Sequence, residues 1–219
     1  RQIVQIAASL DDGKPGRAAD AAGHAARVIV FDEPTSSLSI AEVDRLQDLM
    51  NRLLTSHRMM QPSQLNPHDV LERVRRLILA EFPSVSVQRD YDTSLPYITG
   101  DREQLIQAIL NIARNAAQAM RGKGEIVLRT RAARQVTLSK RRFKLALQLQ
   151  VIDNGPGIPD NIRDKIFYPL VSGRENGSGL GLSLAQSFIE QHQGVIEVES
   201  RPGRTCFTIF LPIARELES

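Results

Sequence analysis

The stretch from Val151 to Ser183 constrains this chain more than any other. It reads Val151-Ile-Asp-Asn-Gly-Pro-Gly-Ile-Pro159, then a charged connecting segment, then Gly177-Ser-Gly-Leu-Gly-Leu-Ser183. An apolar run from Leu145 to Ile152 leads into Asp153. That is the pattern of a strand delivering one carboxylate to a turn that Gly155, Pro156 and Gly157 force open. A carboxylate fixed there accepts a hydrogen bond from an exocyclic amine such as that of adenine, and Gly157 lets the backbone approach a flat ring. Further on, Gly177, Gly179 and Gly181 bare backbone N–H groups where a helix begins, an arrangement that holds phosphates. Either half alone also fits a plain loop and helix start; the constraint comes from the two in this order.

A second signature lies upstream. Asp101 to Met120 has the periodicity of a helix, striped by Leu105, Ala108, Ile109 and Ile112. Asn111 and Asn115 are one turn apart and face the same way. Two aligned amides on such a helix need a polar partner. A magnesium ion bridging phosphates would supply one, because Mg²⁺ prefers oxygen ligands and shares them with phosphates. An exposed amide pair is the alternative.

Around these signatures the spacing predicts a helix over 69–82 after Asn66-Pro67, a strand over 85–91, the helix 101–120, strands over 125–133 and 142–152, a helix over 179–193, and a closing hairpin of strands 195–200 and 205–211. The fold class expected is an α/β sandwich, a mixed sheet covered on one face by helices and preceded by a helical segment. The basic residues between Arg129 and Lys144 fall on the central hairpin. Without aromatic platforms they do not predict nucleic-acid binding.

Composition sets outer bounds. The 219 residues are 42% hydrophobic and 24% charged, enough for one sizeable domain plus a smaller element. No apolar run approaches the ~20 residues of a membrane span, and no secretory signal is visible. The single cysteine, Cys206, excludes an internal disulfide and predicts a cytoplasmic protein; its strand-like surroundings predict burial. The first residue is Arg1 rather than Met, so the chain is expected to be a fragment.

Residues 1–40 differ in character. Val28-Ile-Val-Phe-Asp-Glu-Pro-Thr-Ser-Ser-Leu-Ser39 reads as a buried strand with acids at its tip, and resembles the Walker B and D-loop region of ABC-transporter ATPases. No G-x-x-x-x-G-K-[ST] occurs in the chain, so Asp32 and Glu33 have no P-loop to serve and no ABC-type hydrolysis is expected. Ser39-Ile-Ala-Glu42 is a capping box opening a helix to about Leu54. Its stripe of Val43, Leu46, Leu49, Met50, Leu53 and Leu54 suits a partner helix. The expected organisation is an ABC-like fragment at 1–40, a dimerisation-type helix at 41–56, a linker at 57–64 and a catalytic domain at 65–215. His57 and His68 are expected to be solvated.

In order and spacing the two glycine stretches resemble the G1 and G2 boxes of the GHKL (Bergerat) ATP-binding fold, the family of sensor histidine kinases, Hsp90 chaperones, gyrase B and MutL. The resemblance implies ATP and Mg²⁺ as cofactors. Asp153, Gly155, Gly157 and Ile158 would surround the base, and Gly177, Ser178, Gly179, Leu180 and Gly181 the phosphates. Asn111-Ile-Ala-Arg-Asn115 resembles the histidine-kinase N box, which makes Asn115 a magnesium ligand and places Asn111 near phosphates and metal. Gln107 stands where many kinases have an acidic helper. Phe167-Tyr-Pro-Leu170 matches the F box, Thr205 the threonine supporting adenine, and Arg174 is placed to neutralise the γ-phosphate; a solvated loop arginine is the alternative there.

From about Val43 to Arg215 the likeness narrows to the nitrogen-regulation (NtrB-type) sensor kinases, through Arg89-Asp-Tyr-Asp-Thr-Ser-Leu-Pro96, the N box and Phe167 to Glu175. It implies transfer of the ATP γ-phosphate to a histidine and then to an NtrC-like response regulator, contact with a PII signal protein through the basic hairpin or the lid, and a homodimer in the full-length protein. One departure stands out. The H-E-x-[KR]-x-P box that would carry the phosphorylated histidine should fall near Ala7, and no such box surrounds His24, His57, His68 or His192. The chain is therefore expected to bind Mg-ATP without phosphorylating itself. The alternatives are a GHKL ATPase of the MutL or chaperone kind, against which Asn111 sits where those carry a water-activating glutamate, and a non-catalytic nucleotide-binding module.

Overall fold

The computed structural model describes residues 60–171 and 179–213. All lie in the second of the chain's two parts, Leu38–Ser219. The ABC-like segment, the helix expected from Ser39, His24, His57, and the site candidates Arg174, Gly177 and Ser178 lie outside the described residues.

The elements run β1 (Ser63–Leu65), α1 (Pro67–Glu81), β2 (Val85–Asp90), β3 (Ile98–Gly100), α2 (Arg102–Ala119), β4 (Gly124–Leu138), β5 (Arg141–Asp153), α3 (Asp160–Arg163), α4 (Gly181–Gln191), β6 (Val195–Arg201) and β7 (Arg204–Pro212). Five strands form one sheet in the order β2-β4-β5-β7-β6. The β2–β4 pair is parallel and the others are antiparallel. The sheet is thus mixed, as the sequence predicts.

Its alternation decides which face is covered. Leu147, Leu149 and Val151 of β5 sit beside Leu211, Ile209 and Phe207 of β7. With Ile126 and Leu128 of β4 they share one core with Val70, Leu71, Val74 and Ile78 of α1, Leu105, Ile109 and Ile112 of α2, and Phe188 and Ile189 of α4. Each such side chain contributes about 1.5–3 kcal/mol relative to exposure. The neighbouring positions on β5 and β7 point to the opposite face, where Gln150 Nε2 donates to Thr208 Oγ1 at 3.2 Å. Cys206 on that face is buried, as expected.

Helix ends follow their caps. Asn66 accepts from the His68 N–H and Pro67 opens α1, two residues before the predicted start. Asp101 caps α2, accepting from the N–H groups of Glu103 and Gln104, and takes a third bond from the Gln61 N–H at 2.9 Å. Burial favours the protonated form of Asp101, but these three donors outweigh it and hold its pKa below the usual carboxylate range. His192, just past α4, is buried between the two helices. Its Nε2 accepts the Asp101 N–H at 2.9 Å, and Nδ1 donates to the Phe188 carbonyl at 2.7 Å.

Three expectations need correction. The strands predicted at 125–133 and 142–152 form the expected hairpin but run on to its tip as β4–β5, paired from Ile126↔Asp153 out to Leu138↔Arg141. Ser139 and Lys140 form its two-residue turn, with φ of 47° and 71°. Both central residues are left-handed, the geometry that matches strand twist in tight hairpins. Ser63–Leu65, in a stretch predicted to be linker, pairs with β3. His68 is half-buried rather than fully solvated: it stacks on Tyr91 at 4.9 Å and its Nε2 lies 3.1 Å from Thr130 Oγ1. Burial lowers its pKa, against the charges of Asp92 and Asp69.

Candidate nucleotide-binding site

Asp153 ends β5 in the middle of the sheet, on the helix-covered side. The register sets Ile126 on one flank and Thr205 on the other. Its side chain is 5% exposed. Oδ1 accepts the Gly155 N–H at 2.9 Å, and no other donor reaches the carboxylate among the described residues. Burial raises the Asp153 pKa, and the Gly155 N–H only partly opposes it. A buried carboxylate with an open oxygen lone-pair set fits an exocyclic amine, which would satisfy it.

The turn after Asp153 rests on the β6–β7 turn. The Gly203 N–H donates to the Gly155 carbonyl at 2.8 Å. Gly157 has φ of 87°, and a Cβ there would stand 2.9 Å from the Arg201 carbonyl carbon. Only glycine allows both that backbone angle and that approach. The Ile158 N–H donates to Ser200 Oγ at 2.8 Å, and Ser200 Oγ lies 3.0 Å from Thr205 Oγ1. Thr205 is 4% exposed. Phe167 packs edge-on to Phe207 at 6.4 Å, next to Thr205 along β7. A groove of about 430 Å³ opens beside this turn, against Ala119, Met120, Lys123, Asn154, Gly155 and Gly203.

The other end of the site is helical. Asn111 donates from Nδ2 to the carbonyl of Gly181, the first residue of α4, at 3.1 Å. Its Oδ1 accepts from Gln107 Nε2 at 3.1 Å. The side-chain amide of Asn111 therefore ties α2 to the start of α4, with Gln107 fixing its orientation. Asn115, one turn on, is half-buried on the same face. Leu180 is buried at 2% exposure, and the Leu170 N–H donates to the Gly179 carbonyl at 3.0 Å. Gly179 has φ of 67°, and a Cβ there would sit 2.5 Å from the Leu170 carbonyl carbon.

Asp153, Gly155, Gly157, Ile158, Phe167 and Thr205 thus gather at the strand-built end of the candidate site, and Asn111, Asn115, Leu180 and Gly181 lie at its helical end. An Mg²⁺ ion shared with phosphates needs few protein oxygens. Asn115 offers one, and Asn111 Oδ1 keeps a second lone pair beside the Gln107 bond. Sequence reasoning missed Ser200 and the Arg201–Gly203 turn as the platform under the glycine turn. A cross-strand partner of Thr205 is invisible until the β6–β7 register is known.

The family model described as histidine kinase-, DNA gyrase B- and HSP90-like ATPase matches residues 100–215. The chain is 49% identical over 179 residues to the sensory histidine kinase/phosphatase NtrB of Vibrio alginolyticus, across 80% of this chain and 51% of that protein. The chain therefore spans about half the length of that relative. Its fold is that of a part of ShkA, solved at full length in complex with AMPPNP, with a TM-score of 0.65 and 22% identity over 81% of this chain and 36% of ShkA. It is also that of histidine kinase ThkA in its complex with the response regulator TrrA, with a TM-score of 0.61 and 22% identity over 84% of this chain and 53% of ThkA. With more than half of its length matched by the family model, and that match spanning the glycine turns, the amide helix and the closing hairpin, this chain belongs to the histidine kinase-, DNA gyrase B- and HSP90-like ATPases.

Proposed function

We propose that this chain is the ATP-binding catalytic part of an NtrB-type two-component sensor histidine kinase. The observation that carries the proposal is Asp153: a buried carboxylate with an unfilled acceptor, beside Thr205 and over a turn that only glycine permits. Asp153 receives the adenine amine, Gly157 admits the ring, and the start of α4 faces the phosphates with its N–H groups. Asn115 holds the metal and Asn111 lies near it, while Arg174 neutralises the γ-phosphate. Bound Mg²⁺ supplies charge neutralisation on the phosphate oxygens.

The reaction joins the γ-phosphorus to a histidine ring nitrogen and breaks its bond to the bridging oxygen, releasing ADP. Such transfer is mostly positioning and charge stabilisation. The phosphoryl group would pass next to an aspartate on an NtrC-like response regulator. The organisation proposed is a catalytic domain at 65–215, one dimerisation-type helix at 41–56, a linker at 57–64 whose last two residues pair with β3, and a separate ABC-like segment at 1–40. The full-length protein would be a cytoplasmic homodimer that also meets a PII protein.

No H box surrounds any histidine of this chain, so the phosphate acceptor must be supplied. The test incubates the chain with labelled ATP and a separate NtrB-type dimerisation hairpin that carries its H box. Acid-labile label should appear on the hairpin and not on the chain. Label on His24, His57, His68 or His192, or steady release of phosphate without transfer, would replace this reading with self-phosphorylation or with a GHKL hydrolase.

A further inference from the structure

α2 and α4 are tied at two points, with nearly the same spacing along both helices. At one, the Asn111 amide of α2 donates to the carbonyl of Gly181, the first residue of α4, at 3.1 Å. At the other, the N–H of Asp101, the N-cap of α2, donates to Nε2 of His192, the C-cap of α4, at 2.9 Å. The two helices therefore run antiparallel. Asp101 to Asn111 spans about 15 Å of helix and Gly181 to His192 about 16 Å, at about 1.5 Å per residue. Two such ties, one at each end, fix how far α4 can slide along α2.

The tautomer of His192 is fixed from both sides. The Phe188 carbonyl only accepts, so Nδ1, 2.7 Å away, carries the proton; the Asp101 N–H only donates, so Nε2 carries none. Protonation sets an Nε2–H against that N–H and breaks the tie. The ring is buried. From β3 it meets Gly100, where a Cβ would stand 2.9 Å from Cδ2. From α2 it meets Asp101, the charged group that acts on it. A second acceptor for the Asp101 N–H waits in the first turn of α2. Gln104 stands three residues after the N-cap, the position from which a glutamine side chain reaches back to the N-cap N–H. Gln104 is buried, and its Oε1 is the one buried side-chain polar atom without a partner among the described residues.

We propose that neutral His192 is a positioning residue that pins α4 in axial register on α2, so that nucleotide binding and protonation of this ring oppose one another, with Gln104 taking the Asp101 N–H when the pin releases. The inference rests on the nucleotide reading above, in which the start of α4 faces the phosphates and α2 carries Asn115. A slide of α4 along α2 moves those two groups relative to each other and leaves each helix intact. Burial favours the neutral ring, against the Phe188 carbonyl and the Asp101 charge. The released state keeps its N-cap N–H paired through Gln104, so release is a local event rather than loss of the fold.

The experiment follows the imidazole signals of the whole, isotopically labelled chain by NMR through a pH titration, without and with saturating Mg-ADP. His192 is identified by its through-space contact to Phe188. Coupling is reciprocal, so a nucleotide that binds the pinned state better must lower the His192 pKa. The fall should match a loss of about threefold to tenfold in Mg-ADP affinity on protonation, the worth of one neutral hydrogen bond. Phosphate charge acting alone raises the value instead, so the direction separates register from electrostatics. A merely structural histidine shows no fall on binding. His68, on the far side of α1, should not fall and serves as the internal reference. His192→Gln keeps an acceptor where Nε2 stands and cannot titrate. It should bind Mg-ADP like the parent at neutral pH and outbind it by about threefold to tenfold once pH falls below the His192 value. Titration of the nucleotide phosphates and of Asp153 cancels in that ratio. Gln104→Leu should lower the His192 pKa of the free chain, because the released N–H then has no acceptor; an unchanged value removes Gln104 from the device. A His192 pKa that Mg-ADP leaves unchanged or raises overturns the proposal, as does a ring that stays neutral in both states until the fold is lost. The parent titration decides the matter if His192→Gln does not fold. A chain that binds no Mg-ADP overturns the nucleotide reading itself.

Discussion

The two ends of the nucleotide site are built by different means. At the base end, strand register places Asp153, Thr205 and Ser200 in a row, and one turn of the chain sits on another through the Gly203 N–H and the Ile158 N–H. At the other end, α2 and α4 pack together in the core, and one side-chain amide ties the start of α4 to the site, Asn111 to the Gly181 carbonyl, with Gln107 holding that amide in place. A sheet fixes positions collectively, because shifting one strand moves every pair in the ladder. A side-chain bond from mid-helix to the first residue of another helix constrains one point rather than a ladder. The strand-built end is therefore expected to be the stiffer of the two.

Four measurements test that contrast. The largest effect is expected at the phosphate end. Asn115→Ala should reduce transfer to an added hairpin by on the order of a hundredfold to a thousandfold, the usual loss when one charge-stabilising group is removed. Its thermal midpoint should stay near the parent's, since Asn115 is only half-buried. Label transferred at the parental rate would remove Asn115 from the metal site.

Next comes the base end. Asp153→Ala should weaken ATP roughly tenfold to a hundredfold, the equivalent of about 1.5–3 kcal/mol for a charge-assisted hydrogen bond. Stability should move the other way. Burial raises the Asp153 pKa in the folded chain, so its contribution is fully present below the unfolded value and is lost as pH rises through the higher folded one. Asp153→Asn cannot ionise. It should melt higher than the parent at pH 7, and the gain should vanish toward about pH 3, below the ordinary aspartate value. An advantage that persists there would point to packing rather than charge.

The glycines test stiffness directly. Gly157→Ala meets the Arg201 backbone at 2.9 Å with φ of 87° and should cost about 1–3 kcal/mol in denaturant unfolding. At Gly181 a Cβ would meet Asn111 Cβ at 3.7 Å, an ordinary contact. Gly181→Ala should be neutral, or stabilising by at most about 1 kcal/mol. Equal costs at the two positions would dissolve the distinction between the ends.

The smallest effect concerns the scaffold behind the phosphate end. Burial lowers the His192 pKa, against the Phe188 carbonyl and the Asp101 charge. Its stabilisation is full above the ordinary value of about 6.5 and is lost as pH falls through the lower folded value. Melting temperature should therefore decline as pH falls below about 6.5, and His192→Gln should flatten part of that slope. His68, whose pKa burial also lowers, should add to the same slope. An unchanged slope would mean that the His192 bond to the Asp101 N–H is dispensable.

Much of this was legible in the chain. Asp153 with Gly155 and Gly157 announced a carboxylate on an open turn, and Asn111 with Asn115 announced an amide face, because both depend on spacings of a few residues. The β4–β5 hairpin was not legible across its tip. Ser139-Lys140 lacks the glycine or asparagine that usually marks a left-handed turn, and the basic residues around it resemble a loop. His68 was misjudged because its partners Tyr91 and Thr130 lie on other strands.

The sequence by itself determined the local chemistry: which residues accept, which glycines permit close approach, where helices are capped, and which faces are apolar. These follow from covalent geometry and periodicities of two and 3.6 residues, which act within a turn or two of chain. The tertiary structure alone decided that Ser200 stands beside Thr205 and Thr205 beside Asp153, that Arg201 limits Gly157, and that His192 closes on Asp101. Those contacts join residues 5 to 91 positions apart, and strand order and register set them. Register is chosen by burial of the whole sheet face rather than by any residue within it.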